Sequence, residues 1–287
     1  MRLFLIAIAA AFVFNSCQDY GQLEKRANLS RSLAEISGIT KLPSSPLIFA
    51  IADHGNPNHI YAIDSTGFIQ KEIVVANALN TDWEDLANDG KNRVFIGDFG
   101  NNDNDRRDLC IYSVNIPENI KEIDTVVATK TSFSLADQKE FPPSLYNRNY
   151  DIESFFFKDD SFYLFTRNRS RKEFDGTTKV YKVPARTGNF SVEPIISYTI
   201  CDDPKDCFLT AATLGADNKT ILLLTSNKVI KLSNYTGHDF FGGKIETIHL
   251  KYDSQKEGIC MKDSSNVYIV DERRAQLGGN LYSLSLK

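Results

Sequence analysis

The stretch "TDWEDLANDGKNRVFIGDFGNNDNDRRDL", Thr81–Leu109, holds the pattern from which the fold can be read. It opens on "WEDLA" (83–87), with an acid in second place, and after a polar turn runs into "RVFIGD" (93–98), which ends in Asp98. Short apolar runs rich in Val, Ile, Phe and Tyr, bounded by Gly, Asn, Asp and Pro, read as strands. Glu84 and Asp98 are 14 residues apart.

That pair of strands recurs along the chain. "ISGIT" (36–40), "IESFF" (152–156), "AATLG" (211–215) and "KEGIC" (256–260) open four more units, whose second strands end at Asp53, Arg167, Ser226 and Asp271. Counted from the second residue of each opening (Ser37, Glu153, Ala212, Glu257), the separation is 16 in the first unit and 14 in the others. A third strand follows each pair: "IYAID", "IYSVN", "VYKVP", "VIKLS" and "LYSLS". Fourth strands are expected at 68–75, 124–135, 193–200 and 244–250. The units start 47, 69, 59 and 45 residues apart, a spacing expected of propeller blades carrying loop insertions. The last unit shows only three strands, so "GQLEKRANL" (21–29) is expected to supply its fourth and leave no open sheet edge there. The expected fold is therefore all-β, a five-bladed β-propeller with its ring closed by an N-terminal strand. A sixth blade within 121–150 is the alternative. A two-layer sandwich would not predict the fixed spacing.

"DWEDLA" with "IGDFGNN", and "KEGIC" with "IVDERR", resemble the exported bacterial propellers grouped as SdiA-regulated or esterase-like phytase domains. "AATLG" lacks the acid of that pattern. The resemblance covers residues 33–287 and implies the fold more than any reaction.

The N-terminus reads as a targeting segment. Arg2 precedes an apolar run from Leu3 to Phe14, too short to span a bilayer as a helix but suited to a signal-peptide core. The run meets "NSC" (15–17), which resembles a bacterial lipobox with Phe14 where Leu is usual. Residues 1–17 are thus expected to be a lipoprotein signal, with the lipid on Cys17 and 18–287 forming the propeller. Cleavage after Ala10 is the alternative. Gln18 resembles the residue found there in lipoproteins sent to an outer membrane. The expected location is the bacterial cell envelope, with the protein a monomer held to the membrane through Cys17.

Export implies an oxidising compartment. Cys201 and Cys207 bracket "DDPKD" and could close a small loop, whereas Cys110 and Cys260 lie in strand-like runs and read as buried thiols. A formal charge of −4 argues against a general nucleic-acid binder.

First strands of propeller blades line the central channel, so Glu84, Glu153 and Glu257 should ring it, with Ser37 as a shorter oxygen donor. Converging carboxylates repel, and each prefers to be protonated unless a cation or an arginine compensates. A ring of hard oxygens suits Ca2+, and five-bladed calcium-dependent nucleotidases look similar in this respect. The competing reading is that these carboxylates cap backbone amides and hold the blades together. Asp53, Asp98, Arg167, Ser226 and Asp271 should lie one turn away, on the face formed by the following loops. Those loops add His54, Arg106, Arg107, Arg169, Arg171, Arg273 and Arg274. A mouth of mixed Arg and Asp could take a small anionic ligand directly or through a metal, or could meet a partner protein.

"NNDNDRRD" (101–108) is not an EF-hand loop. Arg106 stands where the turn Gly belongs, and Tyr112 where the bidentate Glu is needed. Trp83 is expected to pack between blades. The sequence carries no nucleophile elbow, no phosphate-cradling loop before a helix, and no His-Glu-x-x-His. The reading is a non-catalytic binding module. The alternative is a metal-dependent hydrolase of phosphate esters, anhydrides or lactones, with the three Glu holding the metal.

Overall fold

The computed structural model describes residues 18–171, 174–201, 204–275 and 277–287. Residues 1–17, where a lipoprotein signal and the lipid-bearing Cys17 are expected, lie outside the described residues.

The strands follow the repeat. β1 (Glu24–Asn28) precedes β2 (Ile36–Thr40), β3 (Ile48–Ala52), β4 (His59–Ile63) and β5 (Ile69–Val75). β6 (Trp83–Asn88), β7 (Arg93–Asp98) and β8 (Cys110–Asn115) come next, then the two-residue β9 (Thr125–Val126) and β10 (Thr129–Leu135). β11 (Asp151–Lys158), β12 (Ser161–Arg167), β13 (Thr177–Pro184), β14 (Gly188–Val192) and β15 (Pro194–Thr199) follow. The chain continues through β16 (Ala211–Leu214), β17 (Ile221–Leu224), β18 (Lys228–Ser233) and β19 (Lys244–His249). It ends with β20 (Lys256–Met261), β21 (Asn266–Asp271) and β22 (Asn280–Ser285).

These strands form five sheets of four or five strands, with β2, β6, β11, β16 and β20 as their inner edges. The inner strands pack in sequence, β2 on β6, β6 on β11, β11 on β16, β16 on β20 and β20 back on β2. The protein is a five-bladed β-propeller. β1 pairs antiparallel with β22, so the N-terminal strand completes blade five as the repeat predicts. Arg273 adds to this closure, its Nη2 donating to the Leu29 carbonyl at 2.7 Å.

Alternation along the strands explains why the sheets must stack radially. Successive side chains leave opposite faces of a strand. Phe49 and Ile51 of β3 enter a core shared with Trp83, Val94 and Ile96 of blade two. Ile48 and Ala50, one residue out of phase, enter a different core with Cys260, Tyr268 and Val270 of blade five. Three equivalent cores fill the remaining junctions. Trp83 is fully buried in the first of these cores, its Nε1 donating to the Leu79 carbonyl at 2.9 Å. Near the axis the backbones nearly touch. A Cβ on Gly38 would stand 2.8 Å from the Asp85 Cα, so only glycine fits there.

Two features depart from the sequence reading. The segment 121–150 builds no sixth blade. The expected fourth strand at 124–135 is instead two strands: β9 adds in parallel to β5 of blade one, and β10 completes blade two. β14, which the repeat did not reveal, then adds in parallel to β10. Blades one and two thereby gain a fifth strand that covers their outer edges.

Cys201 and Cys207 form a disulfide, and Cys110 and Cys260 are buried free thiols.

Candidate functional site

The second residue of each opening motif occupies a special backbone position. In β2 the pairing with β3 shifts between Ile36 and Gly38, leaving Ser37 unpaired. The same shift skips Glu84 in β6, Glu153 in β11 and Glu257 in β20. A β-bulge inserts one residue, twists the strand and re-aims the side chain it carries. β16 of blade four has no such shift and carries Ala212 at this position. The four bulged residues line one cavity of about 690 Å3.

Each carboxylate in that cavity meets a different environment. Glu153 is buried but accepts from Arg167 Nη1 at 3.2 Å and from Arg169 Nη2. Burial would raise its carboxyl, yet the two guanidinium charges hold it below the usual value. Arg169 also donates through Nε to Asp151, whose fully buried carboxyl is pushed up to about 7 by burial and by Glu153. Glu84 has no hydrogen bond or ion pair among the described residues, and burial together with Glu153 pushes it well up. Glu257 rises to about 8 by burial and the Glu153 charge. Ser37 Oγ is buried without a hydrogen-bond partner, as is Thr210 Oγ1 on the same wall. Lys256 donates to the Ser226 and Tyr252 carbonyls and to Ser254 Oγ, and burial lowers it to about 8.

The strand-end residues divide. Asp53, Arg167 and Ser226 line the cavity. Arg167 also lies over the Phe208 ring at 4.5 Å, and Phe208 forms part of the wall. Asp98 instead turns inward. Its Oδ1 accepts from Arg106 Nη2 at 2.9 Å and from the Asp82 backbone at 3.1 Å. Arg106 spends its other donors on the Gly100 carbonyl and Asp108. Asp271 is fully buried within blade five, accepting from the Asn280 backbone and the Tyr282 hydroxyl, both at 2.8 Å. Arg273 is the ring-closing donor to Leu29. Arg107 stacks 3.8 Å over Phe141 in a shallow depression on blade two, outside the cavity lining. The structure thus gathers the bulged set and three of the five strand-end residues. Asp98 and Asp271 are instead committed to internal bonds, Asp98 to Arg106 and the Asp82 backbone and Asp271 to Asn280 and Tyr282.

The Asn-rich loop is a staple between blades. Asn101 N donates to Asp151 Oδ1 at 2.7 Å, and Tyr150 N donates to Asn104 Oδ1 at 3.0 Å. Asn104 holds a positive φ of 57°, which Asn tolerates better than most residues.

Two acids beside the motif were not singled out from sequence. Asp85, next to Glu84, is fully buried and receives the N–H groups of Leu86, Phe155 and Ala212. Burial pushes its carboxyl well up while those three donors pull the other way. Asp82 is pushed up to about 8 by burial and by Asp53. Its Oδ2 and Glu84 Oε1 both crowd the space where a Gly100 Cβ would stand. The opposite mouth of the channel holds a separate cavity of about 560 Å3, with Lys41, Phe157, Leu214 and Met261 in its lining.

No family model matches the chain, and no curated protein sequence matches it either. Among solved structures, the chain is similar to the PQQ-bound aldose sugar dehydrogenase of Streptomyces coelicolor. That likeness has a TM-score of 0.56 and 9% identity over 92% of this chain and 98% of the other. It is also similar to a protein of unknown function from Bacteroides thetaiotaomicron, with a TM-score of 0.46 and 13% identity, covering 86% of this chain and 58% of the other. At 9% identity the likeness to the dehydrogenase is one of fold alone.

Proposed function

We propose that the protein is a binding module that takes a small anionic ligand at this cavity, with a hard divalent cation such as Ca2+ held between Ser37, Glu84 and Glu257. The observation that carries the reading is the repeated bulge, which turns these residues from separate blades toward one space. Glu84 has no hydrogen bond or ion pair among the described residues, the nearby Arg169 charge being bonded to Asp151 and Glu153, and Ser37 Oγ has no hydrogen-bond partner among them. Two carboxylates and a hydroxyl, completed by water, are ligands suited to Ca2+. Glu153 is already neutralised by Arg167 and Arg169, so its part is to hold those guanidinium groups at the wall. Arg167 and Arg274 are then placed to meet anionic groups of a ligand.

A non-catalytic role is supported by the polar groups themselves. Ser37 has no bonded base to activate it, and Lys256 already has three acceptors. The alternative is metal-dependent hydrolysis of phosphate esters, anhydrides or lactones, in which the same cation would polarise the substrate oxygen.

The reading includes lipid anchoring through Cys17 in the bacterial envelope, on the outer-membrane side. The apolar run before Cys17 supports it, and the Cys201–Cys207 disulfide suits an oxidising compartment. The motifs shared with SdiA-regulated and esterase-like phytase propellers point the same way.

The test is calorimetric titration of the chelator-stripped protein with CaCl2, followed by a phosphatase, nucleotidase and lactonase panel with and without EDTA. One Ca2+ per chain and no turnover is the expected result. Absence of Ca2+ uptake would end the reading, and turnover abolished by EDTA would replace it with the hydrolase.

A further inference from the structure

The corner between blades one and two holds a second group of donors, outside the bulged set. Asp53, His54 and Asp82 each offer one ligand atom, and the three atoms lie within 4.8 Å of one another. His54 Nδ1 is 3.3 Å from Asp53 Oδ1 and 3.8 Å from Asp82 Oδ1. Metal–ligand bonds of about 2.0–2.2 Å place neighbouring donors of a tetrahedral ion roughly 3.4 Å apart. The separations therefore need only a small inward movement. Asp82 Oδ1 is shut off from solvent and has no hydrogen-bond partner among the described residues, an arrangement that costs free energy unless something occupies its lone pairs.

The backbone under these donors is fixed from both blades. Asp82 N donates to Asp98 Oδ1, and Gly100 N donates to the Asp82 carbonyl at 3.2 Å. Asn80 Nδ2 donates to the carbonyls of Ala52 and Asp53, both at 2.9 Å, while Asn80 Oδ1 accepts from Trp83 N. One side chain thus ties the Asp53 loop to the bend that carries Asp82, just before β6. His54 remains mostly exposed, which leaves the outer side open to solvent and to water ligands.

We infer that Asp53, His54 and Asp82 form a second cation site, holding one borderline divalent ion such as Zn2+ through two carboxylates and an imidazole. The imidazole separates this site from the axial one. Ca2+ takes oxygen ligands, whereas Zn2+ and its neighbours accept nitrogen readily. The inference does not depend on the axial cation, because neither Glu84 nor Glu257 is among its donors. With three protein ligands the ion keeps at least one position for water.

The test is uptake of Zn2+, and of Co2+ as a visible-absorbing substitute, by the chelator-stripped protein. Wild type should bind one Zn2+ per chain, with Ca2+ unable to displace it, and Co2+ should give an absorption band of low coordination number. His54→Ala and Asp82→Asn should each weaken Zn2+ uptake by at least about 100-fold, since even outer-shell partners of metal sites cost 10–100-fold. His54 is exposed, so its variant should fold as wild type does, checked by metal-free melting. His59→Ala, which alters a histidine paired with Glu72 outside both sites, should bind Zn2+ normally. Absence of uptake by wild type, or uptake undiminished in both His54→Ala and Asp82→Asn, would overturn the assignment. Loss of Zn2+ in Glu84→Gln alone would move the ion to the axis and overturn it as well.

Discussion

Asp85 Oδ2, in blade two, receives the backbone N–H of Ala212, in blade four, at 3.2 Å. Blades two and four are not neighbours in the ring, so this carboxylate bridges the axis. The same oxygen takes the N–H of Phe155 in blade three at 3.1 Å. The channel is therefore crossed by a side chain at this level, and the cavities at its two mouths share no lining residue.

Asp85→Ala would leave buried N–H groups on two other blades without an acceptor. An unmade buried hydrogen bond costs about 1–3 kcal/mol, more where a charged partner is lost. The variant should lose at least about 3 kcal/mol in urea unfolding. A loss below about 1 kcal/mol would show that water replaces the carboxylate and that the bridge is dispensable.

Arg169 compensates Asp151 and Glu153 together. Removing one partner of a buried ion pair typically costs about 3–5 kcal/mol. Arg169→Ala should destabilise by about that amount at pH 8 and by less at pH 5, where the two carboxyls can take up protons. Equal losses at both pH values would mean that Arg169 acts by packing alone.

Glu257 and Asp82 each have a folded-state pKa raised to about 8. Between their ordinary carboxylate values and 8, the folded chain binds more protons than the unfolded chain, so stability falls as pH rises. The metal-free protein should be more stable at pH 5 than at pH 8 by at least about 1.4 kcal/mol, the worth of one pKa unit. Denaturant melts in EDTA across that window check the sign, and a flat profile would contradict it.

Glu84 is a buried carboxyl with no hydrogen bond or ion pair among the described residues, so replacing it with a neutral amide relieves repulsion from Glu153. Glu84→Gln should be at least as stable as wild type in EDTA at pH 8. In Ca2+ the order should reverse, because wild type gains RT ln(1 + [L]/Kd), about 2.7 kcal/mol at 100-fold excess over Kd, and the variant gains little. An unchanged difference between the two buffers would remove the axial cation.

Much of the fold was legible because propeller strands must be apolar on both faces and must end at turns. That combination produced short Val-, Ile- and Phe-rich runs at near-constant spacing, as in "RVFIGD" and "NVYIVD". β9 and β14 escaped because a strand that adds in parallel to an outer edge has only one buried neighbour. The "GNFSV" of β14 carries a correspondingly weak pattern. The bulges lay hidden in the same numbers. Three of the four bulged units share a separation of 14, but so does unbulged blade four, so spacing alone could not reveal the unpaired residue.

By itself the chain determined that five units exist and that four of their openings carry an oxygen-bearing side chain in second place, since both can be read from strand periodicity and residue type. Only the closed ring decided what each acid does. Glu153 found two arginines beyond its own strand, Asp85 found amides of other blades, Asp271 found a tyrosine behind it, and Glu84 found none. A carboxylate's charge state is set by the dielectric and the partners within a few ångströms of it, and those neighbours come from distant parts of the chain that meet only when the last blade closes on the first strand.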